Sequence, residues 1–257
     1  ARAPKLRVVA NVAVGVDNVD LAACRARSVG VTNTPDVLSE ATGVLAFGLL
    51  LAAARRIVEG DRLLRAGRFT GWTPTFLLGA RVHGATLGIV GLGRIGRAVA
   101  RRARGFGLHV LYMQEKPLEP PIERALGATF VASLDEMLAH ADFVSVHCPL
   151  TPETRGLFSA ERLARMKPGS VLVNTARGPI VDEAALALAL EHGPLAAAAL
   201  DVYENEPAVH PALLARENVV LAPHIGSADR VTREAMATTA IANAVAVLAG
   251  APPLTPV

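Results

Sequence analysis

The chain has 257 residues, 51% of them hydrophobic, and 26 Lys and Arg against 23 Asp and Glu give a net charge of +3. That length suits one large domain or two modest ones. Scattered arginines with no basic cluster interleaved with aromatics argue against a nucleic-acid surface, and the lack of any uninterrupted run of about 18 apolar residues argues against a membrane span.

Cys24 and Cys148 each lie in or beside an apolar segment. They are expected as free thiols in a reducing compartment, hence a cytoplasmic location. The seven histidines are far apart in sequence, so no metal site is expected.

In chain order, residues 8–14 read as a strand and loop, 17–27 as a short helix and 29–32 as a second strand. A domain opening directly on a strand is expected to be incomplete. Residues 39–66 read as mostly helical and apolar nearly all round at first, which requires cover on more than one side, from a core or a subunit interface. Residues 67–84, with Trp72 and Pro74, read as an ordered loop. A regular alternation then begins. Strands are expected at 86–90, 108–113, 129–131, 142–147, 170–174, 197–201 and 219–222. Helices are expected at 94–106 and 122–126, from the capping box Ser133-Leu134-Asp135-Glu136 onward, at 159–166, at 182–191 behind the cap Asp182, and at 229–248. Residues 115–121, with three prolines, read as a loop. This order predicts an α/β fold with a doubly wound, Rossmann-type parallel sheet in a dinucleotide-binding domain over 36–229. Residues 1–35 and 230–257 are assigned to a second, incomplete, flavodoxin-like substrate domain.

Gly91-Leu92-Gly93-Arg94-Ile95-Gly96 follows a predicted strand and opens an amphipathic helix, the context that a dinucleotide fingerprint requires. The first glycine permits the tight turn, the second lets backbone approach a pyrophosphate, and the third lets helix and strand pack closely. The helix N-terminus favours the phosphate charge. At the end of the next strand Gln114 falls where an acid usually binds the ribose hydroxyls. Glu115 would repel a 2′-phosphate and Lys116 would partly offset it, so NAD(H) is favoured over NADP(H). Reading both charges as solvated loop residues is equally open.

Arg177, Glu206 and His224 each lie just beyond a separate apolar run, at 170–174, 197–201 and 219–223. In a parallel sheet ligands bind beyond the carboxyl ends of the strands. A guanidinium holds a carboxylate by two parallel hydrogen bonds. An imidazole donates or accepts a proton near neutral pH, and a carboxylate beside it favours the imidazolium and fixes the ring. Taken singly, Arg177 reads equally well as a surface arginine, Glu206 as a turn residue before Pro207 and His224 as a strand-end cap. Their common placement favours a reacting site.

These stretches, with Val14-Gly15-Val16-Asp17-Asn18-Val19-Asp20, His147-Cys148-Pro149-Leu150-Thr151-Pro152-Glu153-Thr154, Met166-Lys167-Pro168-Gly169, Asn174-Thr175-Ala176-Arg177-Gly178, Leu200-Asp201-Val202 and Pro223-His224-Ile225-Gly226-Ser227, resemble the D-isomer-specific 2-hydroxyacid dehydrogenase family in its own order. The resemblance implies that Arg177 binds the substrate carboxylate, His224 is the acid/base and Glu206 its partner. It implies substrate contacts from the backbone of Val14 and Gly15. Asp201 is expected to hold the nicotinamide carboxamide, with Thr175 and Gly226 beside the cofactor. His147, Cys148 and Pro149 are expected to border the adenosine half, with Thr154 nearby. The Glu–His pair separates the chain from formate dehydrogenases, which use Gln there.

Thr34-Pro35-Asp36-Val37-Leu38 and Gly71-Trp72-Thr73-Pro74 resemble the glyoxylate/hydroxypyruvate reductase (glycerate dehydrogenase) branch. It implies NAD(P)H-dependent reduction of a small 2-oxo acid, glyoxylate or hydroxypyruvate, and a Trp72 that reaches the neighbouring subunit's active site, a core or interface anchor being the equal alternative; the apolar helix from Ser39 onward predicts the homodimer this needs. D-3-phosphoglycerate or D-lactate dehydrogenase, or a non-catalytic NAD(H)-sensing protein, stand as the other readings. Three departures are noted: family members usually carry roughly half a domain more before the first strand, Val44 replaces a commonly acidic residue, and residues 113–116 lack the arginine of NADP-preferring members. His83, His109, His140, His192 and His210 read as surface or packing residues.

Overall fold

A computed structural model of the chain describes residues 3–257. Two compact units emerge, one of residues up to Ala41 with Ser227–Val257, the other Thr42–Gly226. No single helix among the described residues is long and apolar enough to cross a membrane.

The first unit pairs β1 (Val8–Ala10) with β2 (Gly30–Thr32) in parallel, joined by α1 (Leu21–Ala26). The long α10 (Arg230–Leu248) packs on both strands. β1 gives way to the expected loop at Asn11, whose side chain donates to the Gly15 carbonyl at 2.8 Å. Asn33 likewise donates to the Val14 carbonyl at 2.9 Å.

The second unit is the doubly wound sheet. Its strands are β3 (Thr86–Val90), β4 (His109–Met113), β5 (Ala128–Phe130), β6 (Phe143–Val146), β7 (Ser170–Asn174), β8 (Leu195–Leu200) and β9 (Val219–Leu221). They are ordered β5-β4-β3-β6-β7-β8-β9, and every pair is parallel. The strand order reverses between β3 and β6, so the crevice for a ligand opens where those two strands end. Helices α4 (Arg94–Gly105), α5 (Pro120–Leu126), α6 (Leu134–His140), α7 (Ala160–Ala164), α8 (Glu183–His192) and α9 (Pro211–Leu214) supply the crossovers. Period-2 alternation divides the core. Val171 and Val173 join one apolar layer with Phe47, Leu50 and Val99, whereas Leu172 joins the other with Met137, Phe158 and Leu186.

The helix expected over 39–66 is two helices, α2 (Ser39–Ala54) and α3 (Ile57–Arg65). The Ala54 carbonyl accepts from Ala80 N at 2.7 Å, and Arg56 turns left-handed at φ 53°. Arg56 then clamps Glu59 with two hydrogen bonds of 2.8 and 2.6 Å, which starts α3. α2 buries one broad face, with Ala46, Phe47, Leu50, Ala53 and Ala54 all in the core, while Glu40, Val44 and Gly48 on the opposite face are exposed, so the cover expected on more than one side is not seen among the described residues. α5 begins within the stretch expected as loop, with Pro120 and Pro121 at its first positions, where a missing N–H costs nothing.

Candidate functional site

The turn after β3 is built by three glycines in three ways. Gly91 has φ +90°, and a Cβ there would lie 2.8 Å from Cys148 N. At Gly96 a Cβ would stand 2.3 Å from the Gly91 carbonyl oxygen, so only glycine lets α4 rise this close to the turn. Gly93 is different: it is exposed, and nothing lies within 4 Å of where its Cβ would be. Arg94 and Ile95 follow as the first residues of α4, where backbone N–H groups lack intrahelical acceptors. An open second glycine at the start of a 12-residue helix, at the sheet's switch point, fits a dinucleotide pyrophosphate.

Gln114 follows β4 and is used at both ends. Its Oε1 accepts from Leu92 N at 3.1 Å and its Nε2 donates to the Lys116 carbonyl at 2.7 Å. His147 follows β6, and its N–H donates to the Val90 carbonyl at 2.8 Å. The ring Nε2 meets Ser145 Oγ at 2.8 Å, while Nδ1 is buried with no partner. Burial pushes the His147 pKa down to about 4 and the Cys148 thiol up to about 11, so both are neutral near pH 7. The Thr154 hydroxyl donates to the Pro149 carbonyl at 2.7 Å and accepts from Thr151 N at 2.8 Å, closing the loop after β6. Thr175, just past β7, keeps a buried hydroxyl without a partner.

The carboxyl ends of β7, β8 and β9 are neighbours, and they carry the three expected residues. Asn174 ends β7 and staples the turn after it. Its Oδ1 accepts from Ala176 N at 3.0 Å and its Nδ2 donates to the Arg177 carbonyl at 2.9 Å. Arg177 itself donates to the Ala176 carbonyl at 2.8 Å. Asp201 follows β8 and is buried. Its two oxygens accept from Ile225 N and Gly226 N, both at 2.8 Å. Burial raises its pKa, and those two N–H groups oppose the rise. The clamp grips the chain directly after His224, which adopts the left-handed φ of 54°. Such backbone is uncommon for a residue with a Cβ and persists where neighbours over-determine it.

His224 Nδ1 lies 2.8 Å from Glu206 Oε2, and the other Glu206 oxygen accepts from Tyr203 N at 3.0 Å. The pair is reachable, with side-chain exposures of 51% and 36%. With Nδ1 engaged by the carboxylate, Nε2 is the nitrogen left to face a substrate.

Two residues not singled out from the sequence support this edge. Tyr203 is buried, its hydroxyl donates to the Ala222 carbonyl at 2.8 Å, and burial pushes its pKa up to about 12. Glu183, the first residue of α8, is buried and accepts from Glu204 N at 2.7 Å and His210 N at 3.2 Å. Val14 and Gly15 belong to the other unit. Trp72 is 77% exposed on the loop after α3. A cavity of about 500 Å³ lined by Val171, Ala197 and Val220 lies towards the amino ends of β7–β9, the far edge from the trio. Its four charged lining residues are already paired, Arg56 with Glu59, Arg216 with Glu191 and Glu217 with Arg68.

Residues 47–226 match the family model for the D-isomer specific 2-hydroxyacid dehydrogenase NAD binding domain. A curated relative from Thermococcus onnurineus named glyoxylate reductase is 49% identical over 257 residues, covering 98% of this chain and 76% of its own. A crystal structure of a Thermus thermophilus protein superposes with a TM-score of 0.93 at 51% identity, covering 100% of this chain and 80% of that one. An NADPH-dependent glyoxylate/hydroxypyruvate reductase from Sinorhizobium meliloti, in complex with NADP and malonate, has a TM-score of 0.91 at 43% identity, covering 99% and 78%. The fingerprint turn after β3 and the Glu206–His224 pair therefore sit in a known lineage: the chain belongs to the D-isomer-specific 2-hydroxyacid dehydrogenase family, and its second unit is an NAD(P)-binding domain.

Proposed function

We propose that this protein reduces a small 2-oxo acid, glyoxylate or hydroxypyruvate, to the 2-hydroxy acid with NAD(P)H, and runs the reverse oxidation. The observation that carries this reading is the 2.8 Å Glu206–His224 contact at the sheet edge that also bears Arg177. Arg177 anchors the substrate carboxylate, aided by the backbone of Val14 and Gly15. His224 donates a proton from Nε2 to the ketone oxygen and takes it back in the reverse direction. Glu206 fixes the ring and stabilises the imidazolium form. The bound nicotinamide supplies the hydride. Gly91, Gly93, Arg94, Ile95 and Gly96 hold the pyrophosphate, and Asp201, Thr175 and Gly226 orient the nicotinamide end. His147, Cys148, Pro149 and Thr154 border the adenosine, with Gln114 at the ribose. Residues 36–229 take the cofactor, and residues 1–35 with 230–257 take the substrate.

Within this reading NAD(H) is preferred over NADP(H). Gln114 is braced by Leu92 and Lys116 beside the ribose, and Glu115 next to it is an unfavourable neighbour for a 2′-phosphate that Lys116 offsets only in part. The protein works as a cytoplasmic homodimer; its two free cysteines and the exposed apolar residues around α3 support this. The test is NADH and NADPH consumption with glyoxylate and hydroxypyruvate, in wild type and Arg177→Ala. The variant is expected to lose at least ~100-fold in kcat/KM while NADH binds within about twofold of wild type. An equal loss of both removes Arg177 as the anchor, and NADH binding with no turnover on either acid overturns the enzyme reading.

A further inference from the structure

Glu206 occupies an exposed loop between β8 and α9 with no helix or strand of its own. A carboxylate must be held within about 0.5 Å of its productive position beside an imidazole to act on it, so something has to hold that loop. Glu183 is the candidate. It is 4% exposed, and its helix does not need it as a cap, because Asp182 already accepts from Ala185 N at 2.8 Å. Its two oxygens are spent on the loop instead: one on Glu204 N at 2.7 Å, the other on His210 N at 3.2 Å. These N–H groups bracket Glu206, two residues before it and four after. Burying a carboxylate is costly, and two charge-assisted backbone bonds near a helix N-terminus offset that cost.

The loop is also pressed onto the turn that carries Arg177. A Cβ on Gly178 would stand 1.8 Å from the Tyr203 carbonyl carbon and 2.4 Å from Glu204 N. Arg177-Gly178 and Tyr203-Glu204 are thus backbone against backbone, and Glu183 fastens the second to the start of α8, five residues past Gly178. We propose that Glu183 is a positioning residue for the Glu206–His224 pair, acting through the backbone of the 203–210 loop. This rests on the reading of Glu206 and His224 as the reacting pair.

A double-mutant cycle tests it, with glyoxylate as substrate and NADH as cofactor. Glu183→Gln keeps the shape and one acceptor oxygen but turns an amide donor towards a backbone N–H. In the wild-type background it is expected to lower kcat about tenfold, with the glyoxylate KM and the NADH Kd within about twofold. In a Glu206→Gln background the same change should cost less than about twofold, because the group it positions is gone. A tenfold loss in both backgrounds, or equal rises in KM and Kd, means a general structural role and overturns the proposal. Glu183→Asp runs the same cycle if the Gln variant does not bind NADH. A Glu206→Gln enzyme with unchanged kcat overturns the reading of the pair and the proposal with it, whereas a slow Glu206→Gln enzyme with additive Glu183 losses overturns the proposal alone.

Discussion

His147 is partly covered as a residue, yet its Nδ1 is buried and unpartnered, and burial brings its pKa from an ordinary 6.5 to about 4. The folded protein therefore resists the proton that the unfolded chain accepts. Stability from this ring is fully present above about pH 6.5, declines as the pH falls from 6.5 towards 4, and changes no further below that. The whole span is on the order of 3 kcal/mol. Denaturant unfolding at pH 7 and pH 4.5 is expected to show a smaller acid loss in His147→Gln than in wild type; equal losses would exclude the histidine as the cause. Single residues differ in how far they can be read without a fold. Arg177, Glu206 and His224 were legible because each follows an apolar run, and strand ends are where such sheets work. Glu183 and Tyr203 were not, because their partners are backbone groups 21, 27 and 19 residues away. Asp182 read as a cap from its own neighbours, and Glu183 beside it, whose partners lie in the 203–210 loop, did not stand out.

The β3–α4 element separates packing from ligand contact. Gly96→Ala would drive a methyl group into the Gly91 carbonyl, a backbone atom with no freedom to turn away. It is expected to cost about 1–3 kcal/mol of stability and to weaken NADH by tenfold or more, about 1.4 kcal/mol, because moving α4 moves the cradle. Gly93→Ala meets nothing within 4 Å and has an ordinary φ of −71°. Its stability should change by less than about 1 kcal/mol while NADH affinity still falls. Thermal unfolding and NADH fluorescence titration read both, and unchanged affinity in Gly93→Ala would remove the pyrophosphate from that position. Elements with a local signature were legible in sequence: β3 and β7 have the predicted bounds, and the caps Ser133 and Asp182 start α6 and α8. The break between α2 and α3 was not, since a carbonyl captured by Ala80, 26 residues on from Ala54, ends the first helix. The short α9 escaped for the opposite reason, as four residues are too few for a helical period to show.

At the scale of the whole molecule, Val44, Ile57, Leu64, Phe69, Trp72 and Leu78 are large apolar side chains left exposed on α2, α3 and the loop that follows, one stretch of the second unit. Scattered apolar residues need no explanation, whereas a contiguous exposed patch marks an interaction surface, and we propose that these six form one. A second copy of the chain is the occupant proposed here, and light scattering at micromolar concentration should give twice the mass of one chain. Ile57→Glu with Leu64→Glu would bury two carboxylates in that contact. Stranding each is expected to cost several kcal/mol and to yield a monomer with an unchanged far-ultraviolet circular dichroism spectrum. A wild-type monomer at tens of micromolar would exclude the dimer outright. Trp72→Ala then divides the two roles open to that side chain. If Trp72 enters the partner's substrate site, the mass stays double and the hydroxypyruvate KM rises severalfold. If it only anchors the interface, the dimer dissociates more readily and KM measured on the remaining dimer is unchanged, because an anchor contributes to association and not to the bound substrate.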